Sequence, residues 1–152
     1  MAVPRKFRLE RVLRLREQRE KELQGQLARA YQQQLEQEGL LGRMHDNRAT
    51  QIELITQQLT SNRVEMTYLQ FGGAYLERLQ SLIDRQTNVV KLAVRATDRK
   101  RVEVHQAMKA RKAIDKLREH WRADLQEEDR QRDIKTIDEI STVRFNRSRG
   151  HV

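Results

Sequence analysis

The stretch LERLQSLIDRQTNVVKLAVRATDRKRVEVHQAMKARKAIDKLREHW, Leu76 to Trp121, decides the fold. It holds no Pro and no Gly, and its apolar residues recur at steps of three and four. Leu79, Leu82, Val89, Ala93, Ala96, Ala107, Ala110, Ile114, Leu117 and Trp121 fall on one predicted seam, interrupted by Gln86, Lys100 and Glu103. A flanking row joins Leu69, Leu76, Ile83, Val90, Thr97 and Val104 at heptad spacing. Heptads sustained over this length indicate a coiled-coil helix.

Upstream the pattern is more dilute. Leu9, Leu13, Leu23, Leu27 and Ala30 form a seam with Arg16 and Glu20 inside it. Leu41, Met44, Ile52, Ile55 and Leu59 resume it with a predicted phase shift. A helix this polar cannot bury its stripe alone and must pair. The nearest partner is the other half of the same chain, which predicts an all-α antiparallel coiled-coil hairpin.

Two places compete as the turn. Thr60-Ser61-Asn62 favours caps and turns, and Asn62 with Glu65 resembles a capping box. Gly72-Gly73 is the only double glycine. The first choice leaves helix 2 overhanging. That suits residues 126–133, which contain nothing apolar to pack. The reading therefore favours helix 1 over about 5–59, a turn at about 60–65, helix 2 over about 66–143 and a tail at 144–152. Pro4 suits a helix start, because its missing N–H has no helical partner there anyway. Asn146 to Gly150 reads as a frayed end.

Composition agrees. Of 152 residues, 37% are hydrophobic and 5% aromatic, below the roughly 45–50% apolar content of ordinary domains. Length suggests a single domain. There is no Cys, so neither a disulfide framework nor a Cys-based zinc site exists. No stretch approaches the roughly 20 apolar residues of a membrane span, and Met1 to Lys6 carry no apolar core of a secretory signal. The net charge of +9 is unevenly spread: +5 over residues 1–19, +7 over 91–122 and −4 over 123–139. Arg5, Arg8, Arg11, Arg14 and Arg19 concentrate positive charge in the first turns, an electrostatic footprint for an acidic partner.

No catalytic constellation appears. Gly72-Gly73 is followed by Ala74-Tyr75-Leu76, not by the Lys-Ser/Thr of a phosphate loop. His45, His105, His120 and His151 lack the spacing of zinc ligands. Asp138 and Glu139 are adjacent, so on a helix they point about 100° apart and form no acid–base pair. The expectation is a non-enzyme without cofactor or metal. Interaction features stand out instead. Tyr68, Phe71 and Tyr75 make an aromatic row near the turn, read either as core or as an exposed edge. Ile134, Ile137, Ile140 and Val143 lie beyond the acidic gap, poised either to pack on Phe7, Val12 and Leu15 or to meet another protein.

Three segments carry a family resemblance. The opening Lys6-Phe7-Arg8-Leu9-Glu10-Arg11-Val12-Leu13-Arg14-Leu15-Arg16-Glu17 resembles the start of FliJ, the stalk of the flagellar type III export apparatus. Tyr68-Leu69-Gln70-Phe71 followed by Leu76-Glu77 resembles that family's start of helix 2. Lys135 to Ser141, with Asp138-Glu139 inside it and Phe145 beyond, is similar to its closing signature. The resemblance implies a two-helix coiled coil similar to the gamma-subunit stalk of rotary ATPases. It implies as partners the hexameric export ATPase FliI, the export gate protein FlhA and export chaperones, at the cytoplasmic face of the inner membrane. It puts Tyr68, Phe71, Tyr75 and Leu79 on the gate-contacting surface, with Phe7, Leu13, Asp138 and Glu139 as signature positions. The basic ends, Arg5, Arg8, Arg11 and Arg14 with Arg144 and Arg147, are then expected at the ATPase ring. Gly72-Gly73 departs from the helix formers usual in relatives.

Two other classes compete. A virulence-type secretion stalk has the same architecture. A basic coiled coil binding nucleic acid is allowed by the net charge. Interleaved acids and scarce aromatics oppose it, so no specific nucleic acid and no small-molecule substrate is expected.

Overall fold

A computed structural model of the chain describes residues 2–150. Two helices account for nearly all of it: α1, Glu10–Thr60, and α2, Met66–Arg149. They pack antiparallel as a coiled-coil hairpin. Partner numbers show the sense. As the α1 position falls from Ile55 through Asn47 and Gln37 to Gln26, the α2 partner rises from Gly72 through Tyr75 and Gln86 to Lys100.

The described chain divides into two compact units. One is Lys21–His105. The other combines the chain up to Glu20 with that from Gln106 onward.

In Lys21–His105 the covered positions of α2 that recur at three- and four-residue steps are Gly72, Leu76, Leu79, Ile83, Gln86, Val90, Ala93, Thr97, Lys100 and Val104. The row taken from sequence as flanking is therefore part of the seam. Leu82 and Val89, assigned to the seam, are 40% and 42% exposed. In α1 the seam runs through Leu23, Leu27, Ala30, Gln34, Gln37, Leu41, Met44, Arg48, Gln51, Ile55 and Gln58. The expected phase shift does not occur, and Ile52 and Leu59 face outward. Glutamine hides its methylene stem in the interface while its amide finds a partner, so it continues an apolar row without looking apolar. Gln86 shows this. Its Nε2 donates to Gln37 Oε1 at 2.8 Å and to the Gln37 carbonyl at 3.1 Å. Lys100 likewise donates to Gln26 Oε1 at 2.9 Å.

The turn lies at residues 61–65. No residue there takes positive φ, so no glycine is required. Hydroxyls finish α1 instead. Thr60 Oγ1 lies 3.2 Å from the Thr56 carbonyl and 3.0 Å from that of Gln57, donating to one at a time. Ser61 Oγ lies 2.9 Å from the Gln58 carbonyl and 2.7 Å from that of Arg63, donating to one at a time. The capping box expected from Asn62 does not form. Helix α2 begins after Glu65, whose carbonyl accepts from Leu69 N. Gly72-Gly73 lies inside α2. Gly72 is buried because Ile55 packs onto it; a Cβ there would sit 2.9 Å from Ile55 Cδ1.

In the other unit Leu13 is 1% exposed and Glu20 8%. On α2 of this unit the half-buried positions include Ala107, Arg111, Ile114, Arg118, Trp121, Leu125 and Glu128, with Arg111 bonded to Glu20. Helix α1 begins at Glu10, later than position 5, because the preceding polar groups are engaged on α2. Val3 N donates to Glu128 Oε2 at 2.8 Å, and the Pro4 carbonyl accepts from Trp121 Nε1 at 2.7 Å. At the other end α2 continues to Arg149, so residues 144–149 are helical rather than frayed.

Candidate functional site: partner-binding surfaces

The N-terminal segment and the first turns of α1 carry the basic block. Arg5 forks onto Asp129 at 2.9 and 3.2 Å, so its guanidinium is already occupied within the chain. Arg8, Arg11 and Arg14 are exposed, and no carboxylate among the described residues pairs with them. Phe7 is half-buried and lies against Trp121, ring centroids 5.6 Å apart. Leu13 is core. The acidic stretch has no apolar residue to pack, yet it is engaged, because Glu128 and Asp129 clasp the N-terminal segment. The Val3 N–H, with help from Arg132 and Arg5, holds the Glu128 carboxyl below its ordinary pKa. The opposite signs of residues 1–19 and 123–139 were the signal that could have revealed this clasp.

Just inside this end, Arg111 donates through Nε to Glu20 and through Nη1 to Asp115 at 2.6 Å. Those bonds, Glu20 first, raise its pKa further above the ordinary arginine value. Arg118 joins the cluster, 3.2 Å from Asp115. Arginine is the residue suited to such a covered pair, since its planar fork satisfies two carboxylates at once.

Near the turn, the aromatic row is an exposed edge. Phe71 is 72% exposed, with Tyr68 and Tyr75 beside it. Together with Gln51 and Gly72 they line a shallow hollow of about 310 Å³. Asn47 Nδ2 donates to the Tyr75 hydroxyl at 2.9 Å and fixes that ring. Leu79 does not belong to this surface. It is only 5% exposed and sits on the seam, because the eight residues from Phe71 carry it round to the covered face.

Beyond Asp129 every described position of α2 is exposed. Ile134, Ile137, Ile140 and Val143 do not pack on Phe7, Val12 or Leu15; they remain uncovered, and Leu15 is itself 66% exposed. Asp138 and Glu139 lie on this free helix with Arg144 and Arg147. The Arg149 guanidinium stacks over Phe145 at 4.9 Å.

No group of three or more potential metal ligands occurs among the described residues. His45, His105 and His120 are exposed, and His151 lies outside the described residues. Among the described residues no helix is long and apolar enough to cross a membrane.

Against known proteins, the chain matches the family model described as "Flagellar FliJ protein" over residues 5–150. No curated protein and no solved structure matches it. A match across nearly the whole chain shows that it belongs to the FliJ family, coiled-coil stalk proteins of flagellar-type export rather than known enzymes.

Proposed function

We propose that this member of the FliJ family acts as the stalk of a flagellar export apparatus, seated in the centre of the export ATPase hexamer and joined to the export gate. In this reading the basic end formed by Arg8, Arg11 and Arg14, with Arg144 and Arg147 on the free part of α2, meets the ring. The aromatic edge of Tyr68, Phe71 and Tyr75 meets the gate, and the stalk assists delivery of chaperones and their cargo at the cytoplasmic face of the inner membrane.

The observation that carries it is Phe71. A large aromatic left 72% exposed between two tyrosines buries little of its ring within the chain. Such a patch marks a contact surface. Arg8, Arg11 and Arg14, which meet no carboxylate among the described residues, add a second support. Exposed ion pairs contribute only about 0–1 kcal/mol each, which suits a grip that must release.

Two experiments separate the roles. Charge reversal at Arg8, Arg11 and Arg14 should weaken co-purification with the ATPase ring; unchanged association at several salt concentrations removes that assignment. Phe71→Ala and Tyr75→Ala should impair capture by the gate protein while helicity, read by circular dichroism, persists. Loss of helicity would make those aromatics structural.

A further inference from the structure

The N-terminal segment does more than start the chain. It walls a groove of about 800 Å³ on α2. The floor is apolar: Phe7, Leu9, Leu117 and Trp121 line it. Leu117 is 48% exposed there. The outer wall is the strap Ala2-Val3-Pro4. It is held by the Val3–Glu128 and Pro4–Trp121 hydrogen bonds and by the Arg5–Asp129 fork. The rim carries Lys6, Arg8 and His120 against a single acid, Asp124. Lys6 and Arg8 are exposed and meet no carboxylate among the described residues.

We propose that this groove is a docking site for an acidic amphipathic helix that seats an apolar side chain on Leu117 and Trp121. The chemistry selects that occupant. A concave, aromatic-floored slot accepts an anchor side chain, as in helix-in-groove recognition. Unpaired cations on the rim favour carboxylates on the flank of the incoming helix. The strap makes the site conditional, because only a clasped Val3 and Pro4 give the floor its second wall. The proposal does not rest on the ring assignment. Arg11 and Arg14 test the ring without lining the groove, and Leu117 tests the groove without carrying charge.

Trp121 is the only tryptophan, so its emission reports occupancy directly. The probe is a synthetic, tryptophan-free helical peptide with leucines on one face and glutamates on the other, titrated into the full chain. The expected result is a saturable blue shift of Trp121. Affinity should fall about tenfold, or 1.4 kcal/mol, in Leu117→Ser and again in Lys6→Glu. Lys6 is exposed and holds no carboxylate among the described residues, so its variant keeps the test sound if Leu117→Ser disturbs the helices. Three results overturn the proposal. One is equal binding of the peptide with lysines in place of glutamates. Another is affinity indifferent to both substitutions. The third is a Trp121 shift produced by anionic phosphatidylglycerol vesicles but not by the peptide.

Discussion

Ile83 and Leu82 are neighbours of equal size on α2, and one of them holds the hairpin together. Ile83 is 3% exposed and Leu82 is 40% exposed. Truncating either to Ala removes three carbons. At about 0.8 kcal/mol per buried methylene, full burial at position 83 amounts to about 2.4 kcal/mol of transfer free energy. The cavity left between two helices adds to this, so Ile83→Ala should cost about 3 kcal/mol, inside the roughly 2–5 kcal/mol range for such changes. At position 82 two-fifths of the side chain is already wet, water refills the space, and Ala is the better helix former. Leu82→Ala should cost about 1 kcal/mol. With about 2–4 °C per kcal/mol for a chain of this size, the midpoints should fall by about 6–12 °C and 2–4 °C respectively. Thermal and urea unfolding followed by circular dichroism read both. Equal losses, or a larger loss at Leu82, would refute the seam described above and restore the one the apolar pattern suggests.

Three further outcomes follow. Gly72→Ala should gain little, because about 1 kcal/mol of helix propensity is opposed by the 2.9 Å approach of Ile55 Cδ1; in an Ile55→Ala background the same change should show the full gain in urea unfolding. Arg111→Met should lower the melting temperature by stranding Glu20, which is 8% exposed, and adding Glu20→Leu should recover it, since a well-packed apolar pair replaces a covered ion pair without loss; failure of the second change to rescue would argue against the pairing. The Glu128 pKa is depressed in the folded chain, so its contribution is present above the unfolded value of 4.5 and is lost as pH falls through the folded value; Trp121 emission should therefore report loosening of the N-terminal segment below about pH 4.5, and Glu128→Gln should remove that acid-dependent step.

The hairpin was legible because helix formers, a near-absence of proline and heptad spacing agree with one another. Which row faces the partner was not. Between Leu76 and Trp121 the apolar residues occupy two adjacent rows, and Leu82, Val89 and Leu117 outweigh Thr97, Arg111 and Arg118 on any hydropathy count. The structure buries the more polar row because its polar members find partners: Arg111 on Glu20, and Thr97 Oγ1 on the Ala93 carbonyl at 3.1 Å. Pairing is a property of two segments, so one segment read alone cannot display it. The same holds at the N-terminus, where Pro4 suggested a helix start and the Trp121 indole takes its carbonyl instead. Spacing left the aromatic row open between core and edge, and only the pairing of the helices shows that Tyr68, Phe71 and Tyr75 lie off the covered face. Leu79 was misplaced because position in a motif does not fix the side of the helix.

The glutamine and lysine layers between the helices have a mechanical meaning. Leucines alone would let one helix creep past the other by a heptad and find equivalent neighbours. Here such a slip would set Gln86 against Met44 or Ala30, and Lys100 against Gln33 or Arg19. Neither displacement re-forms both bonds. The two helices are keyed to each other like a shaft and its hub, and an axial load must break those keys before any sliding begins.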